Sequence, residues 1–584
     1  MLDMKKIAFL TIFFLAGCSE PNADFSSELT SKQNAQIKEY ITQQNSNGKT
    51  INLKEKYSRK LIGLNLVGVN LSSADLSGMD LSKSEFTRVN LSGANLDDVI
   101  LSGSVIQESD FSGVNFTGVD LSGIDFQSSI FNKTIFDRTN LSKANLEDSD
   151  LTEARITNSK LDSTNLTKAT LQGTIIDNVN LQKSNMVLSQ LEGARITNTT
   201  FFGSDIRKAD FSKAEIKNCS FESSDLSSAK ATGAIFTQAD FSYAILDGKN
   251  FTDHSKFESS DFSYSSINDA KFDNTSFNNT TFKHNSITNT KLSNLQMENC
   301  VLQEIRSSNT DILDSSIESV KGNDNSFNKL MLKNVKISHS SMTNLKLSNQ
   351  TAKKLTVDNV NMSESIFNNY NFEDSSFNNV NFTKTIFNKS KIYRTNFTRS
   401  IMNQIALIDC NLENTTFNNS PMPNAQIRGN NSIAMVAINS LSNDGIILDN
   451  KGMERIIGQN VISDLKSLVQ KKDLSNMNLA YMDLSGSNIP ECICKNTVFV
   501  GTKLNNSILK SGVFENTNFS NSDLTNTDFS NATIESSNFN DAKINKTNFS
   551  SAALSNLDFT RSNVLSKMII DQVQANNVSG LGNQ

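Results

Sequence analysis

Six cysteines and three histidines hold most of the reactive side-chain chemistry available to this 584-residue sequence. Cys492-Ile493-Cys494 is the only local cysteine pair. Two thiols so close suit redox exchange or half of a metal site, but no second pair accompanies them, and both also read as small core residues. Cys219, Cys300 and Cys410 stand singly, far apart along the chain. His254, His284 and His339 are not spaced to meet on one face, which argues against a zinc-type cluster. Asn47-Gly48-Lys49-Thr50 has the ending of a phosphate-binding loop, but the glycine that loop requires at position 43 is Gln43. Neither a Gly-x-Ser-x-Gly elbow nor a His-Glu-x-x-His helix is present. The sequence therefore assigns no catalytic residue, no cofactor-binding residue and no metal ligand, and the chain reads as a non-enzyme.

The sixth cysteine has a different setting. Lys5 and Lys6 precede an apolar run from Ile7 to Leu15, which is too short to span a bilayer and has the layout of an export leader. Leu15-Ala16-Gly17-Cys18 follows directly and resembles the bacterial lipobox. That resemblance implies that residues 1–17 are a removable signal and that Cys18 is the lipidation site, diacylated on sulfur and acylated on its new amino terminus. One acyl chain anchors only marginally, whereas two or more hold durably. The expected address is the cell envelope. Ser19 stands where an aspartate would favour inner-membrane retention, so the outer membrane is favoured in a Gram-negative cell. Residues 18–60 would then supply the lipidated cysteine, a polar tether and a short capping helix over about Leu29 to Gln44.

The elements that carry these residues follow one period. From Leu66 to Phe251 every fifth residue is Leu, Phe, Ile or Met, with Ala231 the exception. One extra residue between Thr252 and Lys256 shifts the phase, and the period continues from Phe257 to Ile427, missing at Ser307, Gly322 and Ala352. A third run extends from Leu474 to Ile569, with Cys494 irregular. Two residues before each large apolar centre stands a small residue such as Ala74, Ala94 or Ala144, and immediately before it stands Asn or Asp, as at Asn70, Asp75 and Asp80. Five is the wrong period for a helix, in which successive centres would rotate by about 140°. It also fails for a flat strand, where an odd period flips alternate centres to opposite faces. The chain must turn once per repeat.

This pattern, as in Ala74-Asp75-Leu76-Ser77-Gly78, resembles the pentapeptide-repeat family over most of the chain. The resemblance implies an all-β solenoid, a right-handed quadrilateral β-helix with four pentapeptides per coil. Leu81, Leu101, Leu121, Leu141, Leu161 and Leu181 would then stack as one ladder and give way to Phe201, Phe221 and Phe241. A single coil cannot offset the entropy of ordering about twenty residues at about 1–2 kcal/mol each, so stability must come from stacking.

Two stretches break the pattern. Residues 428–473 leave the period. Ile433 to Ile438 and Ile446 to Leu448 read as a β-hairpin, and Lys451 to Lys471 as an amphipathic helix, making a helical and hairpin insertion that caps or bridges repeat segments or docks a partner. Between Ser307 and Ala352 three centres are lost, and Gly322-Asn323-Asp324-Asn325 reads as a bulged loop at a local kink. The expected organisation is a signal at 1–17, tether and cap at 18–60, repeats at 61–427, insertion at 428–473, repeats at 474–569 and a tail at 570–584.

Two functional classes compete. In the first, the chain is a lipid-anchored structural scaffold or protein-interaction surface, with membrane lipid engaged through Cys18 and a protein partner through 428–473 or the solenoid faces. The second is the DNA-mimic, topoisomerase-interacting role that the family resemblance brings with it. A net charge of -6 is dilute over this length, and Lys83, Lys133, Lys143 and Lys183 are interspersed among the acids. Charge and export together favour the first class, with no nucleic acid expected as a partner.

Overall fold

The computed structural model describes residues 28–248, 250–420, 422, 424–428, 447–448, 473–475, 479, 484–563 and 568–580; residues 1–17, expected to be a signal, and Cys18 lie outside them. The chain divides into two compact units, Met1–Asn250 and Phe251–Gln584.

The first unit begins with a helix, Ser31–Ser46, capped by Thr30: the Gln33 amide N–H donates to the Thr30 hydroxyl, and the Gln33 side chain accepts from the Thr30 N–H. Ile37 and Ile41, one turn apart, are fully buried. Its polar side chains finish the backbone of the first coil. Asn34 Oδ1 accepts from Asn65 N at 2.8 Å, and Asn45 Nδ2 donates to Asn70 O at 2.8 Å, so the solenoid's opening edge is covered. A short helix, Leu53–Lys56, is tied down by Lys54, whose ammonium lies 2.7 Å from Asp75 and holds that carboxyl down at about 2.

Beyond the helices the unit is a stack of parallel coils with a register of twenty residues. Leu66 pairs with Phe86 and Phe86 with Ile106; a second ladder joins Phe136, Ile156, Ile176, Ile196, Ile216 and Phe236. Twenty residues make four pentapeptides, so each coil is a square. The turn that the period demands sits two residues after each centre, where the backbone adopts left-handed φ: 57° at Ser73, 63° at Gly78, 57° at Lys83. Few non-glycine residues adopt this conformation, yet here it recurs at nearly every repeat. The Asn or Asp before each centre helps hold it, as Asp75 Oδ1 accepts from Ser77 N at 3.1 Å and Asp110 Oδ1 from Ser112 N at 2.8 Å.

Inward Ser and Thr are paired across coils. Thr134 Oγ1 donates to Phe111 O at 2.8 Å and Thr164 Oγ1 to Leu141 O at 2.8 Å, which lets a hydroxyl occupy the slot that alanine takes elsewhere.

In the second unit the ladder through Phe257, Phe277, Met297, Ile317, Ile337, Val357, Phe377, Phe397 and Phe417 keeps the same twenty-residue register. The extra residue between Thr252 and Lys256 is absorbed by two successive left-handed positions, Asp253 and His254. No bulge interrupts 307–352, which corrects the sequence expectation. Lys321–Asn323 is a strand, paired in register with Val301–Gln303 and Ser341–Thr343. At Gly322 the missing side chain makes room for the buried Asn325 amide, which donates to Leu302 O and accepts from Ile305 N, both at 2.9 Å. Around the lost centres the chain runs through three eight-residue strands, Arg306–Leu313, Ser326–Lys333 and Lys346–Lys353. An apolar cavity of about 70 Å³ remains in the lumen there, beside Leu302, Ile312, Phe327 and Leu345.

Later in this unit, Leu474, Leu479, Leu484 and Ile489 begin a core that continues to Phe559. Gln574–Ser579 pairs with Ala553–Asp558 at a register of twenty-one, so the ladder passes Ile569, where the repeats were expected to end. Within 428–473, Ile447 and Leu448 pair in parallel with Gln426 and Ile427. The expected partner strand from Ile433 and the helix over Lys451 to Lys471 lie outside the described residues.

Candidate interaction surface

The coil geometry sorts outward side chains into columns, one residue per coil, about 4.8 Å apart. One corner of the second unit is concave: a polar groove of about 480 Å³ runs over five successive coils. One wall is the column of left-handed residues His254, Asn274, Asn294, Asp314 and Asn334, with φ between 49° and 73°. The other is formed by Lys256, Ser276, Gln296 and Ser316, each the first residue of a three-residue strand. Asn334 Nδ2 donates to Asp314 Oδ1 at 2.8 Å and Asn294 Nδ2 to Asp273 Oδ1 at 3.1 Å, which pre-orders the amides along the column. The groove offers a repeating set of amide and hydroxyl donors and acceptors with one cation at its edge. That chemistry is suited to hydrogen bonding with a polar surface.

The opposite corner column stacks the Tyr264 ring on His284 at 4.6 Å and 19°, and His284 Nδ1 lies 3.1 Å from Glu304 Oε2. His339 pairs separately with Glu318 at 3.4 Å, so the histidines are not brought together. Among the described residues no group of three or more His, Cys, Asp or Glu is placed to hold a metal ion.

Acids and bases pair between adjacent coils. In the first unit Lys133 pairs with Glu153 at 3.6 Å, Arg195 with Glu215 at 3.4 Å and Lys213 with Glu192 at 2.8 Å. In the second, Glu373 receives both Lys353 and Arg394, and Lys384 pairs with Glu364. Such exposed pairs add little stability each, but they interrupt any continuous acidic stripe.

The cysteines sit inside. Cys219, Cys300 and Cys410 each take a small slot and make the same bonds that Ser and Thr make there. Cys219 Sγ donates at 3.2 Å to Lys217 O, and Cys410 Sγ at 3.2 Å to Phe387 O. Burial pushes the Cys219 thiol up to about 12 and the Cys410 thiol up to about 11, which removes the thiolate that reactivity needs. A folded-state pKa raised above the unfolded value leaves stability intact below pH 9, then drains it as pH rises toward the folded value. Cys219→Ala is expected to flatten that alkaline limb in the first unit by about 1.4 kcal/mol per pH unit between pH 9 and 11, read by denaturant melts. Parallel limbs for the two proteins would refute the assignment. Cys492 and Cys494, the local pair of the sequence, are both fully buried, with their sulfurs 3.1 Å apart. The groove was missed, since the twenty-residue register was applied to the inward centres and not to the outward residues. The regular spacing of His254, Asn274, Asn294, Asp314 and Asn334 was the available signal.

Comparison with known proteins gives the following. A family model described as Pentapeptide repeats matches residues 65–103, 184–222, 219–253, 265–303, 365–404 and 513–550, and a second, Pentapeptide repeat region, matches 104–186. Together they cover just over half of the chain. No curated protein matches. Among solved structures, HetL, a pentapeptide repeat protein involved in heterocyst differentiation regulation in the cyanobacterium Nostoc, is 22% identical, with 40% of this chain and 92% of that chain covered and a TM-score of 0.19. Full-length QnrB1, a plasmid-mediated fluoroquinolone resistance protein, is 17% identical over 38% of this chain and 93% of its own, with a TM-score of 0.14. The A-module of the Azotobacter vinelandii mannuronan C-5 epimerase AlgE4 is 11% identical over 72% and 94%, with a TM-score of 0.18.

Proposed function

Because the chain belongs to the pentapeptide-repeat family, we propose that it is a non-catalytic repeat protein of the cell envelope, anchored by lipid on Cys18 and engaging a protein partner through its polar faces. The observation that carries this reading is Leu15-Ala16-Gly17-Cys18 directly after the Ile7 to Leu15 run, on a chain whose repeats present hydrated columns outward. The groove from His254 to Asn334 is the face best shaped for contact, with ordered amides and a concave wall. The DNA-mimic role is not adopted, since acids on the columns are paired with Lys and Arg. An outer-membrane address follows from Ser19 where the cell has such a membrane.

Cys18→Ser is the test. The wild-type chain is expected in the membrane fraction and to incorporate labelled palmitate, and the variant to lose the label and move to the soluble fraction. A variant that still pellets with membranes at wild-type yield refutes lipid anchoring. Cross-linking from Lys256, at the edge of the groove, would then capture the partner in intact cells.

A further inference from the structure

The close pair Cys492 and Cys494 is a reactive constellation that the proposed function leaves unused. Ile493 between them is extended, bridging Asp473 on one coil and Val513 on the next, and its side chain faces out. Residues on either side of an outward strand residue point the same way, so both thiols enter the lumen. At every ordinary repeat this geometry places a small side chain beside a large one, as Ala74 beside Leu76, and the bulk of the centre keeps them apart. Here the centre is itself a cysteine. The two sulfurs lie 3.1 Å apart, closer than any other thiols among the described residues, and both residues are fully buried. Two strand rises separate their Cα atoms by about 6.6 Å, at the upper edge of the 4.4–6.8 Å span that a disulfide bridges, so closing the bond draws the two Cβ atoms together and bends the backbone at Ile493.

We propose that Cys492 and Cys494 form an intrachain disulfide, closed as the chain folds in an oxidising compartment. The compartment rests on the export reading above; the pairing rests on the geometry alone. The chemistry is thiol–disulfide exchange with a disulfide donor such as oxidised glutathione or an exported dithiol oxidase. One cysteine thiolate attacks the donor disulfide, forms a mixed disulfide and releases the first donor thiolate. The second cysteine thiolate attacks the protein sulfur of that mixed disulfide, forms the Cys492–Cys494 bond and releases the second donor thiolate. Two electrons pass from the cysteines to the donor, whose released thiolates take up the two protons lost from the cysteines. In the folded chain the hydrogen bond between the thiols and the surrounding burial hold Cys494 protonated, which blocks attack, so closure belongs to the folding step.

The full chain carrying Cys18→Ser has five thiols left, and three of them serve as internal controls. It is refolded with excess oxidised glutathione, unfolded in denaturant and alkylated without reduction, then digested for mass spectrometry. The peptide spanning Cys492 and Cys494 is expected unlabelled and about 2 Da lighter than its dithiol form, and to take up two labels only after reduction. Cys219, Cys300 and Cys410 are expected to label in both conditions. Labelling of both Cys492 and Cys494 without reduction overturns the proposal, as does a bond from either of them to another cysteine. Cys492→Ala should abolish the mass deficit and leave Cys494 labelled. The same measurement on protein taken from envelopes separates the two claims: a bond formed on refolding but missing there refutes the oxidising address and leaves the pairing standing.

Discussion

Replacing Phe221 by alanine is expected to destabilise the first unit by about 3–5 kcal/mol, toward the upper end of that range. The ring is fully buried and sits in a column of aromatics. It stacks on Phe201 at 4.6 Å and 2° and on Phe241 at 5.0 Å and 8°, with edge contacts to Phe211 and Phe236. Truncation removes the transfer energy of the ring, opens a cavity that square coils cannot collapse around, and breaks two stacks worth about 0.5–1.5 kcal/mol each beyond area. Phe221→Leu should cost far less, about 1–2 kcal/mol, because the same ladder is built from leucine at Leu141, Leu161 and Leu181 and its coil dimensions already fit that side chain. Coils couple chiefly to their neighbours, so hydrogen exchange should report lost protection in peptides around 201–241, with the 513–550 repeats unchanged. Equal effects for the alanine and leucine variants, or loss of protection spread evenly over both regions, would contradict this picture.

The five-residue phase made much of the architecture legible before any coordinate was considered. An apolar residue at every fifth position excludes both regular elements, and the only remaining geometry is a turn per repeat. What the pattern could not supply was the identity of the turning residue. Left-handed φ at Lys83, Arg88 or Leu188 contradicts local propensity and is imposed by the coil. The same override explains the error at Gly322. Glycine followed by Asn-Asp-Asn is strong turn chemistry in isolation, but parallel pairing on both sides keeps Lys321–Asn323 extended, and the vacancy at Gly322 is filled from within by Asn325. The groove was hidden for a different reason. Its residues lie twenty apart, and a surface assembled from one residue per coil leaves no contiguous motif. The lipidation proposed at Cys18 is the reverse case, resting on a linear peptide and on no coil register.

Tyr370 carries the second large expectation, because it is the one aromatic in a small slot. Its column holds Thr290 and Thr310 three and two coils below Gln350, and Ser390 and Cys410 above. A ring fits because the centre two residues after Gln350 is only Ala352, so the lumen at that level is open. Tyr370 fills it, reaching past one whole coil to donate its hydroxyl to Leu330 O at 2.9 Å. Tyr370→Ala should therefore cost about 3–5 kcal/mol by leaving an unfilled lumen. Tyr370→Phe keeps the ring and removes only the hydrogen bond, costing about 1–2 kcal/mol near neutral pH with the buried carbonyl left short of a donor. The two tyrosine states also titrate differently. Burial raises the Tyr370 phenol above its ordinary value of 10.0, so its stabilisation is complete below pH 10 and drains as pH rises, because only the unfolded chain gives up the proton. Above pH 10 the wild-type chain should lose about 1.4 kcal/mol per pH unit that the phenylalanine variant keeps, and the two stabilities should converge and cross at about pH 11. The raised Cys410 thiol contributes the same slope to both proteins and cancels in the difference. Denaturant melts of the pair from pH 8 to 12 measure the crossing; a constant gap across that range would mean that the phenol is reached by solvent and that the ring does not seal the lumen.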